Sequence, residues 1–351
     1  MKKILHLSNN FLPYVQGGIE NILSEISNSS NHRNDILTMH NIKIEKKNHK
    51  FNVFFAKKIF TFFKANISID FVIKLFRIYK NYDYVVIHSP QPFIEILSLF
   101  LVKKKICFYH SDIIDQKKIY FFYSLIQKIF LKKCQKIITS SKQYLDSSKT
   151  LRSFKKKSIV WNLSISKKFN IKKYKKLPLP KKYFIFIGSN RSYKGFENLF
   201  AAFQDKHLSK ISLLVIGNKF KNYQNTISTN NIFFLGNIKD EYKNYLLKNS
   251  ISLILPSIKR SEAYGLVLIE ALRVGTPIIT TKIGTATSFI NLHNKTGFNI
   301  RPNSKKELIN SIKKFVNMKK ENYKLMEINS RKRFLHFCID NTITNYDKIF
   351  I

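Results

Sequence analysis

Two glutamates flank a predicted helix start in the run Ser261-Glu262-Ala263-Tyr264-Gly265-Leu266-Val267-Leu268-Ile269-Glu270-Ala271-Leu272. The preceding residues, Ile251–Leu255, form an apolar, strand-like stretch that ends at Pro256-Ser257. From Leu266 onward apolar residues recur with helical spacing until Gly275-Thr276-Pro277 ends the pattern. The sequence therefore predicts a strand, a loop and a helix N-terminus, in that order.

A helix N-terminus of this kind can hold an anionic ligand. The backbone N–H groups of Tyr264–Val267 would be unpaired donors, and the helix dipole adds partial positive charge there. Gly265 would let a ligand approach the backbone closely. Glu262 and Glu270 could accept hydrogen bonds from hydroxyl groups on either side of a bound diphosphate, which is the layout of a nucleotide sugar. On spacing alone, a solvated Glu262 and a helix-stabilising Glu270 on an ordinary core helix explain the pattern equally well.

Strand-like runs alternate with helical patterns through both halves of the chain. The runs are Lys3–Leu7, Tyr84–His88, Ile106–His110, Ile137–Ser140, Phe184–Gly188, Leu213–Gly217, Ile232–Gly236 and Ile251–Leu255. Such alternation favours parallel sheets covered by helices on both faces, which is the α/β class. At 351 residues and 44% hydrophobic content, the chain exceeds what one core usually organises.

The expected domain boundary is a Lys-rich stretch with two prolines, residues 167–182. We therefore expect one domain over 1–166 and a second over 167–330, with a ligand cleft at the junction. A C-terminal helix within 331–351 is expected to pack back toward the first domain.

A loop with two cations follows the strand that opens the second domain. In Tyr183–Gly195, the strand ends at Gly188, and Arg191 and Lys194 come directly after it. A diphosphate leaving group gains charge as its glycosidic bond breaks, so positioned cations can stabilise that transition state without a metal. With 62 basic residues in the chain, the alternative for either cation is a solvated surface charge. Only the loop context favours Lys194.

In the first domain, paired glycines and a strand-end histidine are further candidates. Gly17 and Gly18 precede a helical pattern and are candidates for the opposite wall of a donor cleft, although a plain turn would also use them. The three-glycine dinucleotide fingerprint is absent, which argues against a nicotinamide or flavin enzyme. His110 ends a predicted strand, where open α/β sheets place ligands, and Asp112 follows it. His110 could hydrogen-bond a ligand there and Asp112 could orient that ligand or the histidine; a buried structural histidine is the alternative. His88 ends another strand, with weaker support.

Cellular context is indicated by the cysteines and by the apolar runs. Cys107, Cys134 and Cys338 are odd in number and have no ligand-like spacing to histidines or carboxylates, so we expect reduced thiols with neither a disulfide framework nor a zinc site. No cofactor is expected. The N-terminal apolar run ends at Ser8-Asn9-Asn10 and is interpreted as a first strand, not a signal peptide. No run approaches the roughly 18 to 20 apolar residues of a spanning helix, so we expect a cytoplasmic protein.

The net charge of +41 would attract polyanions, and it leaves two partners to weigh. Nucleic acid is one, although no nucleic-acid-binding module is recognisable. An anionic membrane surface fits better, because residues 117–136 hold six lysines among many aromatic and aliphatic residues. Residues 57–80 are similar, with six basic residues. Alternatively, both segments are amphipathic helices that pack on the first sheet.

The motifs resemble those of retaining glycosyltransferases of family 4, which have the GT-B fold of two Rossmann-like, doubly wound domains facing each other across a cleft. Members of that family carry Pro-Ser, a gap, Glu-x-Phe-Gly, an aliphatic run, Glu-Ala and Gly-x-Pro-Val-Ile, and this chain has each piece with Tyr264 in the aromatic place. Arg191–Gly195 resembles the family's Arg-Tyr-Tyr-Lys-Gly loop, but Ser189 stands where many members have another arginine. Residues 283–290 and 296–298 and the His110-Ser111-Asp112-Ile113 segment are similar to an O-antigen mannosyltransferase-like subgroup.

The resemblance implies a retaining transfer of a hexose, with mannose favoured, to a lipid-linked saccharide in bacterial O-antigen or lipopolysaccharide biosynthesis. The donor would be GDP-mannose or a UDP-sugar, and the enzyme would lie on the inner face of the cytoplasmic membrane as a peripheral protein. The implied donor-binding residues are Gly17, Gly18, Arg191, Lys194, Glu262, Tyr264, Gly265, Leu266, Val267 and Glu270. His110, Glu262, Arg191 and Lys194 would be catalytic, and Asp112 would lie on the acceptor side. The alternatives are a polyanion- or nucleic-acid-binding protein and a GT-B nucleotide-sugar epimerase or hydrolase.

Overall fold

The computed structural model describes residues 1–13, 17–40, 50–62, 65–101, 104–113, 117–173, 179–224 and 230–351. The chain forms two compact units. The first unit comprises Met1–Ile165 together with Ile339–Ile351, and the second comprises Ser166–Cys338.

In the part of the chain that the structure describes, the first unit forms a seven-stranded parallel sheet in the order β3-β2-β1-β6-β7-β8-β9, with a separate antiparallel β4–β5 hairpin. Its strands are β1 Lys3–Leu7, β2 Arg33–Met39, β3 Val53–Ala56, β4 Phe60–Phe62, β5 Ala65–Ile67, β6 Tyr84–Ser89, β7 Lys105–Tyr109, β8 Lys136–Thr139 and β9 Ser158–Val160. Its helices are α1 Gly18–Ser29, α2 Ile69–Ile78, α3 Pro92–Ser98, α4 Lys117–Lys133, α5 Lys142–Ser147 and α13 Ile339–Asp347.

The second unit forms, over its described residues, a six-stranded parallel sheet in the order β12-β11-β10-β13-β14-β15. The strands are β10 Tyr183–Ile187, β11 Ser212–Ile216, β12 Ile232–Gly236, β13 Ser252–Leu255, β14 Ile278–Thr281 and β15 Gly297–Ile300. The helices are α6 Phe196–Phe203, α7 Lys221–Gln224, α8 Asp240–Lys248, α9 Leu266–Val274, α10 Thr287–Ile290, α11 Lys305–Val316 and α12 Lys320–Phe334.

Burial on both faces of each sheet explains why the central strands are almost continuously apolar. All the residues of β6, β7 and β13 are buried, as expected of parallel strands covered on both sides. The eight predicted strands are found with ends shifted by one residue at most, and the predicted α/β class is confirmed.

Both sheets have the doubly wound strand order. In each, the first strand lies at the centre, and the chain fills one side before it crosses to the other. The order therefore reverses between β1 and β6 in the first unit and between β10 and β13 in the second. Open α/β sheets bind ligands outside the carboxyl ends of the strands at this reversal.

Two segments differ from what the sequence predicts, and two others lie outside the described residues. Residues 57–80 are not one helix, because Ile59 N–H donates to the Ile67 carbonyl at 2.9 Å and closes the β4–β5 hairpin before α2 begins. Residues 331–338 stay with the second unit, because α12 continues to Phe334, and Ile339 is where the chain rejoins the first. Residues 14–16 before the paired glycines, and residues 174–178 of the expected boundary, lie outside the described residues.

Cys107, Cys134 and Cys338 are buried free thiols. Among the helices that the structure describes, none has the length and apolar character needed to cross a bilayer.

Candidate active site

The loops after β10 and β13 meet at the carboxyl end of the second unit's sheet. The Ile258 N–H donates to the Tyr193 carbonyl at 2.8 Å, which joins one loop to the other. Gly195 has a left-handed φ of 67°, and a Cβ built on it would lie 2.1 Å from the Pro256 carbonyl oxygen. Only glycine therefore fits where the two loops cross.

Lys194 and Glu262 form an ion pair between these loops. Lys194 Nζ lies 3.0 Å from Glu262 Oε2, and the two side chains are only 15% and 10% exposed. The Ser257 hydroxyl donates to the same oxygen at 3.4 Å. Burial by itself lowers the pKa of Lys194, but the Glu262 carboxylate and neighbouring groups raise that pKa above its ordinary value. The residue is therefore a cation at neutral pH.

The loop that carries Glu262 is held in place by hydrogen bonds to its backbone. The Thr285 hydroxyl donates to the Glu262 carbonyl at 2.8 Å, and the Ala286 N–H donates to the Ala263 carbonyl at 3.3 Å. Tyr264 is buried in the core, so its side chain anchors the loop instead of facing solvent. These contacts hold the approach to α9 in one conformation.

Helix α9 begins at Leu266, as predicted, and its N-terminus carries no side-chain cap. Gly265 precedes it with a left-handed φ of 82°, and its missing Cβ would lie 3.1 Å from both the Leu255 and the Leu268 side chain. Within the described residues, no acceptor faces the N–H groups of Leu266 and Val267. This end of the helix therefore offers donors and positive dipole to an anion.

Glu270 lies in the second turn of α9 and is paired with a lysine from α8. Lys243 Nζ is 3.1 Å from Glu270 Oε2 and 2.9 Å from Asp240 Oδ1. Burial lowers the pKa of Lys243, but the two carboxylates raise it above its usual value overall. The sequence carries no signal for this contact, because 27 positions separate the partners, from 243 to 270, and only the packing of α8 against α9 brings them together.

Arg191 differs from Lys194 in being exposed. It precedes the short 3-10 turn Ser192–Lys194, and its carbonyl accepts from the Lys194 N–H at 2.9 Å. The positive charge of Arg191 lowers the pKa of Lys194, which places the two cations in one electrostatic field. The loop thus carries one held cation and one exposed cation.

In the first unit, the paired glycines open α1. Gly17 is the N-cap in an extended conformation and Gly18 is the first helical residue. A Cβ on Gly17 would lie 2.4 Å from Glu20 Oε2, so the side chain of Glu20 folds back over the helix N-terminus. A Cβ at position 17 would require only that the flexible Glu20 carboxylate shift, and a contact of Gly17 with a donor stays a prediction.

His110 lies directly after β7 and is stacked on two rings. Its centroid is 4.5 Å from that of Phe108 and 5.0 Å from that of His88, and its Nε2 is 2.8 Å from His88 Nδ1. Burial lowers the pKa of His110 to about 3, so the ring is neutral at neutral pH. A buried histidine was the alternative to a sugar-binding one, and the two are compatible because the residue ends the strand.

Asp112 is held by groups behind its loop. Its Oδ1 accepts hydrogen bonds from the Tyr109 hydroxyl at 2.8 Å and from the Ser148 hydroxyl at 2.7 Å. These contacts anchor the loop to the start of the segment after α5. A role in orienting the acceptor stays a prediction.

Over the described residues, no group of three or more His, Cys, Asp or Glu side chains is arranged to hold a metal ion.

The sequence is similar to that of several known proteins. Residues 167–333 match the family model described as Glycosyl transferases group 1. The chain is 27% identical over 369 residues to O-antigen chain mannosyltransferase C of Escherichia coli, which covers 99% of this chain and 98% of that protein. It is 28% identical over 317 residues to the D-rhamnosyltransferase WbpZ of Pseudomonas aeruginosa, covering 86% of this chain and 83% of that protein.

The fold is also found among solved structures. HepE from Anabaena, solved in complex with UDP and glucose, superposes with a TM-score of 0.79 at 16% identity and covers 99% of both chains. The two parallel-sheet units match GT-B structures, which confirms the predicted fold.

Proposed function

Since this chain is a glycosyltransferase with a group 1 domain in its second unit, we propose that it moves a hexose from a nucleotide diphosphate sugar to a lipid-linked saccharide, with retention of configuration. The transfer would belong to the assembly of O-antigen or a related bacterial lipopolysaccharide. The two relatives support this role, because both are sugar transferases and one is named for the O-antigen chain.

The Lys194–Glu262 pair beside the open N-terminus of α9 is the observation that carries the proposal. A diphosphate accepting from the Leu266 and Val267 N–H groups would bring its negative charge to Lys194, within the same pair of loops. Glu262 would then accept hydrogen bonds from hydroxyl groups of the donor sugar. Glu270, one turn further along the helix, would bind the ribose.

The proposed reaction uses these groups. The bond between the sugar C1 and the diphosphate oxygen breaks, and its electron pair stays on the leaving phosphate. Lys194, Arg191 and the helix N-terminus stabilise that growing charge more than the ground state, which lowers the barrier. The acceptor hydroxyl forms the new bond to C1 on the same face, and its proton passes to the leaving phosphate.

We propose GDP-mannose as the first donor to test and a UDP-sugar as the second. The mannosyltransferase named above supports mannose, and the complex of HepE with UDP and glucose supports a uridine nucleotide. No cofactor and no metal are proposed.

A peripheral position on the inner face of the cytoplasmic membrane would place the enzyme beside a lipid-linked acceptor. Apolar side chains on α2 and α4 are exposed next to lysines, and they are Ile69, Ile73, Phe76, Leu125 and Ile129. Each basic residue near an anionic leaflet contributes about 1 kcal/mol, so a few engaged lysines suffice for reversible attachment. Both helices also bury a second face, so packing and membrane contact can coexist.

A thermal-shift panel of GDP, UDP and their sugars tests the donor, because stabilisation grows with ligand concentration over Kd. Donor turnover with and without lipid-linked acceptor in membrane extract then tests transfer. Turnover that needs no acceptor would indicate a hydrolase or epimerase instead. Tight, salt-sensitive binding of DNA or RNA without any nucleotide-sugar effect would contradict the proposal.

A further inference from the structure

A chain of three hydrogen-bonded histidines crosses the first unit's sheet at the reversal of strand order. His6 on β1, His88 on β6 and His110 after β7 are named here the histidine relay. His6 Nδ1 lies 3.0 Å from His88 Nε2, and His88 Nδ1 lies 2.8 Å from His110 Nε2. Registers of His6 with Val86 and of His88 with Phe108 put all three rings on one face of the sheet.

The far end of the relay fixes which nitrogen carries each proton. His6 Nε2 lies 3.0 Å from Asn34 Oδ1, while Asn34 Nδ2 donates to the His32 carbonyl at 2.9 Å. The amide cannot be reversed, because its oxygen would then face another carbonyl oxygen. His6 Nε2 must therefore be the donor to Asn34.

The remaining tautomers follow one after another. A neutral imidazole has one donor and one acceptor, so His6 Nδ1 accepts, and His88 Nε2 must donate to it. By the same logic His88 Nδ1 accepts from His110 Nε2. His110 is then left with a bare Nδ1 lone pair at the open end of the relay. Within the described residues, no donor reaches that nitrogen.

The relay stays neutral, which preserves this order. Burial lowers the pKa of His6 to about 4, despite the raising effect of its hydrogen bond to Asn34. Burial lowers the pKa of His88 well below its usual value, with a further lowering from the adjacent histidines. The rings therefore do not work as a store of protons at neutral pH; they orient one lone pair.

We propose that His6, His88 and Asn34 are positioning residues that lock His110 in the tautomer with a hydrogen-accepting Nδ1, so that His110 recognises a substrate hydroxyl and not a phosphate oxygen. A deprotonated phosphate oxygen has no proton to give to a lone pair, whereas a sugar hydroxyl does. The assignment of the hydroxyl to a sugar rests on the proposed function. The lock itself rests only on the hydrogen bonds of the first unit.

The test is nitrogen NMR of protein labelled with ¹⁵N-histidine, in which a protonated and a bare ring nitrogen give distinct shifts. In the wild-type protein, His110 should show a bare Nδ1 and a protonated Nε2, with its signals assigned from a His110→Gln variant. A protonated Nδ1 on His110 at neutral pH would overturn the proposal. This measurement needs neither substrate nor turnover.

His88→Phe removes the acceptor from His110 Nε2 and keeps an aromatic ring of similar size in the stack. We expect His110 to populate both tautomers, and kcat to fall by about tenfold or more while the thermal shift caused by the donor nucleotide is unchanged. His6→Phe breaks the relay one step earlier and should give a smaller change of the same kind; it also serves if His88→Phe fails to fold.

Tyr346→Phe is the matched control. Its hydroxyl lies 3.5 Å from His6 Nε2 in the same buried layer, but the ring-to-ring hydrogen bonds do not depend on it. The control should keep the tautomer and kcat of the wild type. A folded His88→Phe protein with unchanged His110 tautomer and kcat, or a Tyr346→Phe protein that shifts the tautomer, would refute the relay. A wild-type protein that turns over no nucleotide sugar would refute the proposed function, and the NMR measurement would still decide the tautomer.

Discussion

Removing Lys194 should lower both stability and turnover, and a double-mutant cycle with Glu262 should separate the two effects. Lys194→Met leaves the Glu262 carboxylate, which is 10% exposed, without its cation. Breaking a fully buried ion pair costs about 3–5 kcal/mol. Because some solvent reaches both groups and the Ser257 hydroxyl remains near Glu262, we expect about 2–3 kcal/mol. In a unit of this size, that lowers Tm by about 5–10 °C.

The companion changes complete a double-mutant cycle. Glu262→Gln should cost a similar amount, because it strands the Lys194 cation, and the double variant should return to within about 1 kcal/mol of the wild type. Donor turnover should not return. A charged hydrogen bond is worth about 1.5–3 kcal/mol, so loss of Lys194 from the leaving phosphate should lower kcat by about 10- to 150-fold in both backgrounds.

Calorimetric unfolding and initial rates with the donor found by thermal shift are the assays. Lys282→Met, at an exposed lysine of the same unit, is the charge-matched control and should change neither quantity. Because the folded pKa of Lys194 is raised, its stabilising effect is complete below the ordinary pKa of 10.5 and is lost as the pH rises through the folded value. The stability differences among the four proteins of the cycle should therefore not change with pH around neutrality. Single variants as stable as the wild type, or a double variant with wild-type turnover, would refute the reasoning.

Three further predictions concern Glu270, the glycine where the two loops cross, and acid stability. Glu270→Ala should lower kcat/KM for the donor by about 10- to 100-fold. Glu321→Ala removes the same charge at an exposed position and should leave kcat/KM unaltered. Equal kinetics in the two variants would show that Glu270 does not bind the donor. Gly195 and Gly236 have similar φ values of 67° and 65°, but of these two only Gly195 has backbone atoms where a Cβ would lie. Gly195→Ala should therefore unfold at a lower urea concentration than Gly236→Ala, and it alone should lose donor binding. Equal losses of stability in the two variants would contradict a close crossing of the two loops at Gly195. The first unit should lose stability below pH 6.5, by about 1.4 kcal/mol per pH unit for each relay histidine. The reason is that the folded pKa of His6 is about 4, so the unfolded chain binds more protons than the folded one in this range. If urea titrations show the free energy of unfolding of a His88→Phe variant falling with acid as steeply as that of the wild type, the explanation is wrong.

Strands that are buried on both faces could be predicted from the sequence. Strands such as β10 and β13 are buried on both faces, so their apolar runs are visible in the sequence alone. Strand β2 was not among the predicted runs because it begins Arg33-Asn34-Asp35. Asn34 and Asp35 are buried and have partners on other elements; Asp35, for example, accepts a hydrogen bond from the Tyr82 hydroxyl at 2.8 Å. Tertiary hydrogen bonding of this kind leaves no periodic signal.

In the candidate site, too, the sequence predicted the local elements but not the contacts between them. The Glu262 loop, the helix start at Leu266 and the Lys194 loop could be placed from sequence, because each directly follows a strand that ends in a parallel sheet. Their direct pairing could not, because it depends on β10 and β13 being neighbours, and 68 positions separate Lys194 from Glu262. His6 had no signal either, since it lies 82 positions from His88 inside an ordinary apolar strand.

The same strand order thus carries charged side chains at the reversal in the second unit and neutral ones at the reversal in the first. At the reversal in the second unit, two loops hold a charged pair beside a helix N-terminus, and ionic groups of this kind suit a diphosphate whose charge grows during reaction. At the reversal in the first unit, buried imidazoles stay neutral and expose a lone pair, which suits a hydroxyl. A cation at His110 would favour a phosphate oxygen over a hydroxyl. Burial keeps the histidine relay neutral, so the difference between the two ends follows from the side chains that each unit supplies at the same position of the fold.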